Sequence, residues 1–290
     1  MGEYLERKKL KHQTTHLNCS LVELKKHCNQ PPFNQLIDYI GINQLQDQPL
    51  SFDLFNVLFQ SKLESASVDI SFVDQTCLDN TNLPYEQFIF QNKQIPSRAN
   101  WHDFFNAAIW SQFPLTKNVF NELHVGQIKT EGYKTRTAIR DKLTHFDECG
   151  LVVFTNNSQY QIDCANHHWH TLFVKNQPAW GTTMLPVIFG HAIWEMLLHP
   201  YIGLTGKVRF IEVSTPTLNT LRHNIYDKRN YHIADQLLME YLLQNTVLTE
   251  KKPWLPLPIL GIPNWSIFTQ NDDFYANTNY FMPLRKKRQD

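Results

Sequence analysis

Residues 98–113 read RANWHDFFNAAIWSQF, and on a helical period their apolar side chains lie on nearly every side. Trp101, Phe105, Ile109 and Phe113 recur every four positions as one stripe, the spacing of a single helix face. A helix of this kind is built for burial, so the rest of the chain has to cover it. The means are present: 290 residues are ample for a sizeable core, 42% are hydrophobic and an aromatic share of 13% supplies bulk. Yet the same stretch carries His102, Asp103 and Asn106. Buried polar groups need partners, because an unpaired one costs roughly 1–3 kcal/mol.

A formal net charge of zero gives no global field to gather nucleic acid or acidic membranes, so a nucleic-acid partner is not expected. Basic runs stand near both ends, ERKKLK and RKKR at 285–288, and read as solvated termini. Five scattered cysteines with no CxxC pair suit reduced thiols in the cytosol. No signal peptide is expected, and the longest apolar segment, 184–198, is too short for a membrane span and holds His191 and Glu195. A cytoplasmic protein without membrane association is the expectation.

Helical patterns predominate. Ser20 to Glu23 forms a capping box ahead of a first helix, and FNQLIDYI and SFDLFNVLFQSKL predict two more. Residues 65–84 are polar and turn-rich, and 85–96 predict a strand, a turn near Asn92 and a return. A helix capped by Asn100 ends at Pro114, another starts at Thr116, and a third ends at Gly150. LVVFTN and KVRFIEV predict strands, whereas 159–174, 187–199 and 231–244 predict helices, with an irregular Pro-rich tail. The fold class is α+β, mainly α: a single helical domain with a few short strands, in which 1–83 is an N-terminal helical extension packed on a main domain of 84–290.

The helix predicted at 187–199 repeats the device of the first. His191 and Glu195, like His102 and Asn106, are four residues apart on an apolar surface. Between the two helices HFDECG places Asp147 and Glu148 at a helix C-terminus, where the dipole prefers cations. Such a conflict is expected at a functional site. These residues predict one pocket lined by His102, Asp147, Glu148, His191 and Glu195. His102, His191 and Glu195 would ligate a divalent metal, the candidate cofactor, with Asp147 or Glu148 as catalytic base or fourth ligand. Asn106 and Arg98 would contact a small-molecule ligand, Arg98 by offering its charge to an anion near the helix start. The alternative is a polar network without a ligand, in which His191 bonds Glu195 and His102 bonds Asp147. Asp103 takes a structural role, neutralised by Arg98. The strict His-Glu-x-x-His zinc pattern, the Gly-rich phosphate loop, the G-x-S-x-G elbow and the dinucleotide fingerprint are absent. The histidines of NHHWH at 166–170 point in different helical directions, and Arg136 and Arg140 read as a solvated face.

NWHDFFNAAIW, THFDECG, FGHAIWE and LPLPILGIPNW, in this order, resemble the bacterial family called domain of unknown function 3025, over residues 84 to 285. The resemblance implies a bacterial cytoplasmic origin and assigns no catalytic residue, cofactor or partner. Three readings therefore stand: a metal-assisted hydrolase of a small or phosphorylated substrate, a non-enzymatic protein binding a small ligand or partner in a polar pocket, or a structural role in which the polar pairs only fix helix register.

Overall fold

A computed structural model describes residues 20–244 and 246–284; both basic runs lie outside them. The chain opens with helices α1 (Leu21–Lys25), α2 (Phe33–Ile40) and α3 (Phe52–Ser65), followed by strand β1 (Ser71–Asp74) and the short helix α4 (Thr76–Asp79). Helix α5 (Tyr85–Asn92) leads through a left-handed Lys93 into β2 (Gln94–Ser97), which pairs in parallel with β1. Then come the long helices α6 (Trp101–Gln112), α7 (Pro114–Glu131) and α8 (Ala138–Cys149), and α8 passes straight into β3 (Gly150–Thr155). After α9 (Gln159–Ala165) and a π-helical turn at His170–Lys175 follow β4 (Met184–Ile188), α10 (His191–Leu198) and β5 (Thr205–Glu212). Helices α11 (Thr215–Arg222) and α12 (His232–Gln244), strand β6 (Leu255–Pro258) and α13 (Asp272–Ala276) complete the chain. Helix dominates in one unit, as the periodicities predict.

α6 is the core helix its sequence demands: every residue from Asp103 to Gln112 is buried. Aromatic contacts fix its neighbours. Phe104 meets Phe55 and Phe59 of α3 at ring-centroid distances of 5.8 and 5.9 Å, while Phe105 stacks on Trp194 of α10 at 6.3 Å. The region before residue 84 thus covers one side of α6, and the β1–β2 ladder ties it to the remainder.

The main sheet has the order β4-β3-β5-β6, with β3 antiparallel to β4 and parallel to β5, and β5 antiparallel to β6. All six residues of β3 are buried, as a central strand covered on both faces requires. Two glycines decide how the helices join this sheet. A Cβ on Gly190 would lie 2.4 Å from the Gly150 nitrogen, and one on Gly150 would lie 2.3 Å from the Phe146 carbonyl oxygen. The bare Gly150 lets α8 turn directly into β3 past Phe146, and the bare Gly190 lets the β4–α10 junction touch the α8–β3 junction, where the Gly190 N–H donates to the Gly150 oxygen at 2.8 Å. The start of α7 is fixed from afar. Asp235 of α12 accepts from the Leu115 and Thr116 N–H groups at 2.8 and 2.9 Å and from the Thr116 hydroxyl at 2.7 Å, satisfying donors that a helix start leaves open.

Local structure departs from expectation at several points. Residues 85–92 are helical rather than a strand, because Tyr85, Phe88 and Ile89 keep a helical spacing against α7. The segment 187–199 divides: Val187 and Ile188 end β4, paired with β3, and the helix begins only at His191. The helix predicted over 159–174 breaks at His167, whose φ is +55°. Pro114 opens α7 instead of only ending α6, since a first-turn proline needs no N–H partner. Ser20 stands at the N-cap of α1 without making the predicted capping bond. Arg140 is buried and donates to the Tyr133 and Thr135 carbonyls instead of lying on a solvated face. No helix among the described residues is long and apolar enough to cross a membrane.

Candidate functional site

The two touching junctions place Asp147 three residues before Gly150 and His191 directly after Gly190. α6 lies against α10, so His102 meets His191 across the gap. Their Nε2 atoms are 3.2 Å apart, with ring planes at 88°. Each ring has a carboxylate towards its other nitrogen: Glu195 Oε2 is 3.4 Å from His102 Nδ1, and Asp147 Oδ2 is 3.7 Å from His191 Nδ1. The expected His–carboxylate pairs are therefore exchanged, because Glu195, one turn further along α10, reaches His102 rather than its own neighbour His191.

From Asp147 the contacts run inward. Lys117 of α7 donates to Asp147 Oδ1 at 2.5 Å and to Asn106 Oδ1 at 3.0 Å, and Asn106 donates to the Tyr85 hydroxyl at 3.2 Å. The Lys117 ammonium also sits 5.2 Å from the centre of the Trp110 ring, a cation–π contact. Beside this chain Asn121 Nδ2 donates to Glu86 Oε2 at 2.9 Å and to the Glu86 carbonyl at 2.8 Å. These groups surround a cavity of about 390 Å³, within the usual range for small-ligand sites. Its wall includes Tyr85, Glu86, His102, Asn106, Lys117 and Asp147, with Arg98, His124 and His191. It reaches solvent where Arg98 and His102 stand, whose side chains are 58% and 42% exposed.

The environment sets the protonation of each group. The Glu195 contact raises the pKa of His102, outweighing partial burial, and favours its imidazolium form. Burial depresses His191 to about 3, even with Asp147 beside it, and depresses His124 to about 4, so both are neutral at pH 7. Burial works to raise Asp147, but Lys117 and His191 outweigh it and hold the carboxyl below the usual range. Two opposed Nε2 atoms accommodate one proton between them: two protons collide and none leaves lone pairs facing. The raised basicity of His102 and the depressed basicity of His191 place that proton on His102, pointing at the His191 lone pair.

The structure brings together His102, Asn106, Asp147 and His191, with Glu195 behind His102. Glu148 is exposed and does not line the cavity; the turn of α8 that presents Asp147 inward points its neighbour out. Glu195 approaches Nδ1 of His102, while the histidines converge through Nε2, so the expected His102–His191–Glu195 ligand set is not assembled at one point. Among the described residues no group of three or more His, Cys, Asp or Glu side chains is arranged to hold a metal ion. Arg98 lines the cavity, but it is spent on Asp103, with Nε to Oδ2 at 2.9 Å and Nη2 to Oδ1 at 3.1 Å. This is the structural pairing expected for Asp103, whose own N–H is capped by Asn100 at 2.7 Å.

Sequence reasoning missed Lys117, Asn121 and His124. Their signal was available: positions 117, 121 and 124 keep helical spacing on one face of α7, and all three are buried. Glu86 and Tyr85 were hidden by reading their helix as a strand.

No curated protein and no solved structure matches the chain. A family model described as a protein of unknown function, DUF3025, matches residues 70–285. With most of its length matched, the chain belongs to the family described as protein of unknown function DUF3025.

Proposed function

We propose that the chain is an enzyme that performs general acid–base chemistry, most simply hydrolysis by an activated water, on a small polar molecule held in the cavity. The observation that carries this reading is the His102–His191 pair: two imidazoles in Nε2–Nε2 contact at 3.2 Å, each with a carboxylate towards its Nδ1, beside a polar cavity. Their environments push the two basicities apart, which assigns an acid and a base. When a substrate parts the two Nε2 atoms, His102, whose imidazolium form Glu195 favours, gives its Nε2 proton to the leaving group. The Nε2 lone pair of neutral His191, freed from that contact, accepts one from water. A positioned general acid or base contributes roughly 10²–10⁴-fold to rate. No serine, threonine or cysteine stands among the residues lining the cavity, which favours activated water over a covalent hydroxyl or thiol intermediate. Both fixed cations of the wall, Arg98 and Lys117, are engaged by carboxylates, so a phosphorylated substrate has less to recommend it than a compact polar one. A metal-assisted version of the hydrolysis would need ligands beyond the two histidines.

The test is a thermal-shift screen of small polar metabolites, with each stabilising compound then followed by mass spectrometry for conversion. Wild type should bind and convert a compound that His191→Ala binds but does not convert. Compounds that bind wild type without conversion would leave the cavity as a recognition site of a non-enzymatic protein.

A further inference from the structure

The charges of the cavity wall do not balance. Arg98 is matched by Asp103, and Lys117 by Asp147. His102 has Glu195 beside it, and His124 and His191 are neutral at pH 7. Glu86 is left over. It lines the cavity, and its side chain receives only the neutral Asn121 amide, on Oε2 at 2.9 Å. Arg140, the nearby cation without a carboxylate partner, is held by the Tyr133 and Thr135 carbonyls and does not line the cavity. Three aromatic rings, Tyr85, Trp110 and Phe120, share the wall with Glu86. Lys117 already lies over Trp110, but none of the described cations lies over Tyr85 or Phe120. A carboxyl without a cation beside aromatic faces is complementary to a positively charged nitrogen, which gains from the charge and from the ring quadrupoles together.

We propose that the molecule bound in this cavity carries a single positive charge, on an amine, amidine or guanidinium, and that Glu86 is the residue that receives it. The inference rests on reading the cavity as a small-molecule site and adds the class of ligand. In the free protein, burial holds the Glu86 carboxyl above its usual range. A ligand cation would give that carboxyl the directly bonded charge partner that the Asn121 amide does not supply.

Benzamidine and benzamide make the test, because they match in shape and differ in charge. Binding of both to the full chain is measured by calorimetry at neutral pH, in wild type and in Glu86→Gln. Glutamine keeps the size of the side chain and an oxygen for Asn121. Wild type is expected to bind benzamidine at least tenfold more tightly than benzamide, and Glu86→Gln to lose that preference while melting within a few degrees of wild type. Equal or better binding of benzamide overturns the inference and leaves a small-molecule site for neutral ligands. A preference for benzamidine that survives in Glu86→Gln overturns the role of Glu86. Binding of neither compound, with stabilising hits of other charge from the thermal-shift screen, overturns the ligand class and leaves the proposed function standing.

Discussion

Replacing Lys117 with methionine removes a buried cation and leaves its length of apolar stem in place. In the native chain the ammonium is bonded to Asp147 at 2.5 Å and to Asn106 at 3.0 Å, with side-chain exposures of 6% for Lys117 and 24% for Asp147. Breaking a buried pair from one side costs about 3–5 kcal/mol, chiefly because the remaining charge is uncompensated. The partial exposure of Asp147 places the expected loss near the lower figure, about 3 kcal/mol. For a chain of this size that lowers Tm by roughly 6–12 °C. The double variant Lys117→Met/Asp147→Asn should recover about 2 kcal/mol relative to the sum of the single losses, because it removes the orphaned charge. The pH dependence gives an independent check. In wild type the depressed pKa of Asp147 contributes stability above the ordinary carboxylate value and is lost as pH falls through the folded value. Without Lys117 the carboxyl is raised, so its contribution is present at low pH and lost as pH rises. The difference between wild type and Lys117→Met should therefore shrink between pH 7 and pH 5. Denaturant unfolding at both pH values measures it. Additive single losses, or a difference that does not change with pH, would refute the argument that the pair acts as a unit.

Glu195→Gln should lower the pKa of His102, since the Glu195 carboxylate is the main cause of its elevation; imidazole proton shifts followed by NMR across pH 5–9 report it, and an unmoved titration removes Glu195 from the pair. Gly190→Ala forces a Cβ to within 2.4 Å of the Gly150 nitrogen, so the β4–α10 junction must open, with a loss of roughly 2 kcal/mol or more in melts and displacement of His191; an unchanged melt contradicts the close approach. Below pH 6.5 the chain should lose stability from its two buried neutral histidines. Their folded values are depressed to about 3 and 4, so stability present above 6.5 falls as the unfolded chain takes up protons, by up to about 1.4 kcal/mol per pH unit for each. His124→Gln should flatten that slope in denaturant titrations.

The periodicity of residues 101–113 was enough to place α6 in the interior, because a helix apolar on nearly every side has no other stable position. It also distinguished Asp103, capped and paired locally, from His102 and Asn106, which had to find partners elsewhere. The fold class was legible for the same reason: long 3.6-residue patterns persist in tertiary context. Short apolar runs do not carry that information. YEQFIF satisfied a strand pattern until α7 offered it a helical packing surface, and Val187 and Ile188 belonged to β4 because β3 stood ready to pair with them. The site shows the division most clearly. His102, His191, Asp147 and Glu195 were visible as polar residues on apolar surfaces. Which carboxylate serves which ring was decided only when Gly150 and Gly190 brought two chain junctions into contact. Glu148, adjacent to Asp147 and chemically similar, went to solvent because one residue on a helix turns the side chain by about 100°. Lys117, Asn121 and His124 read as ordinary polar positions until α7 was pinned by Asp235, well over a hundred residues away in the chain. Residue type and period fix what a side chain requires; long-range contacts of the folded backbone fix which partner meets the requirement.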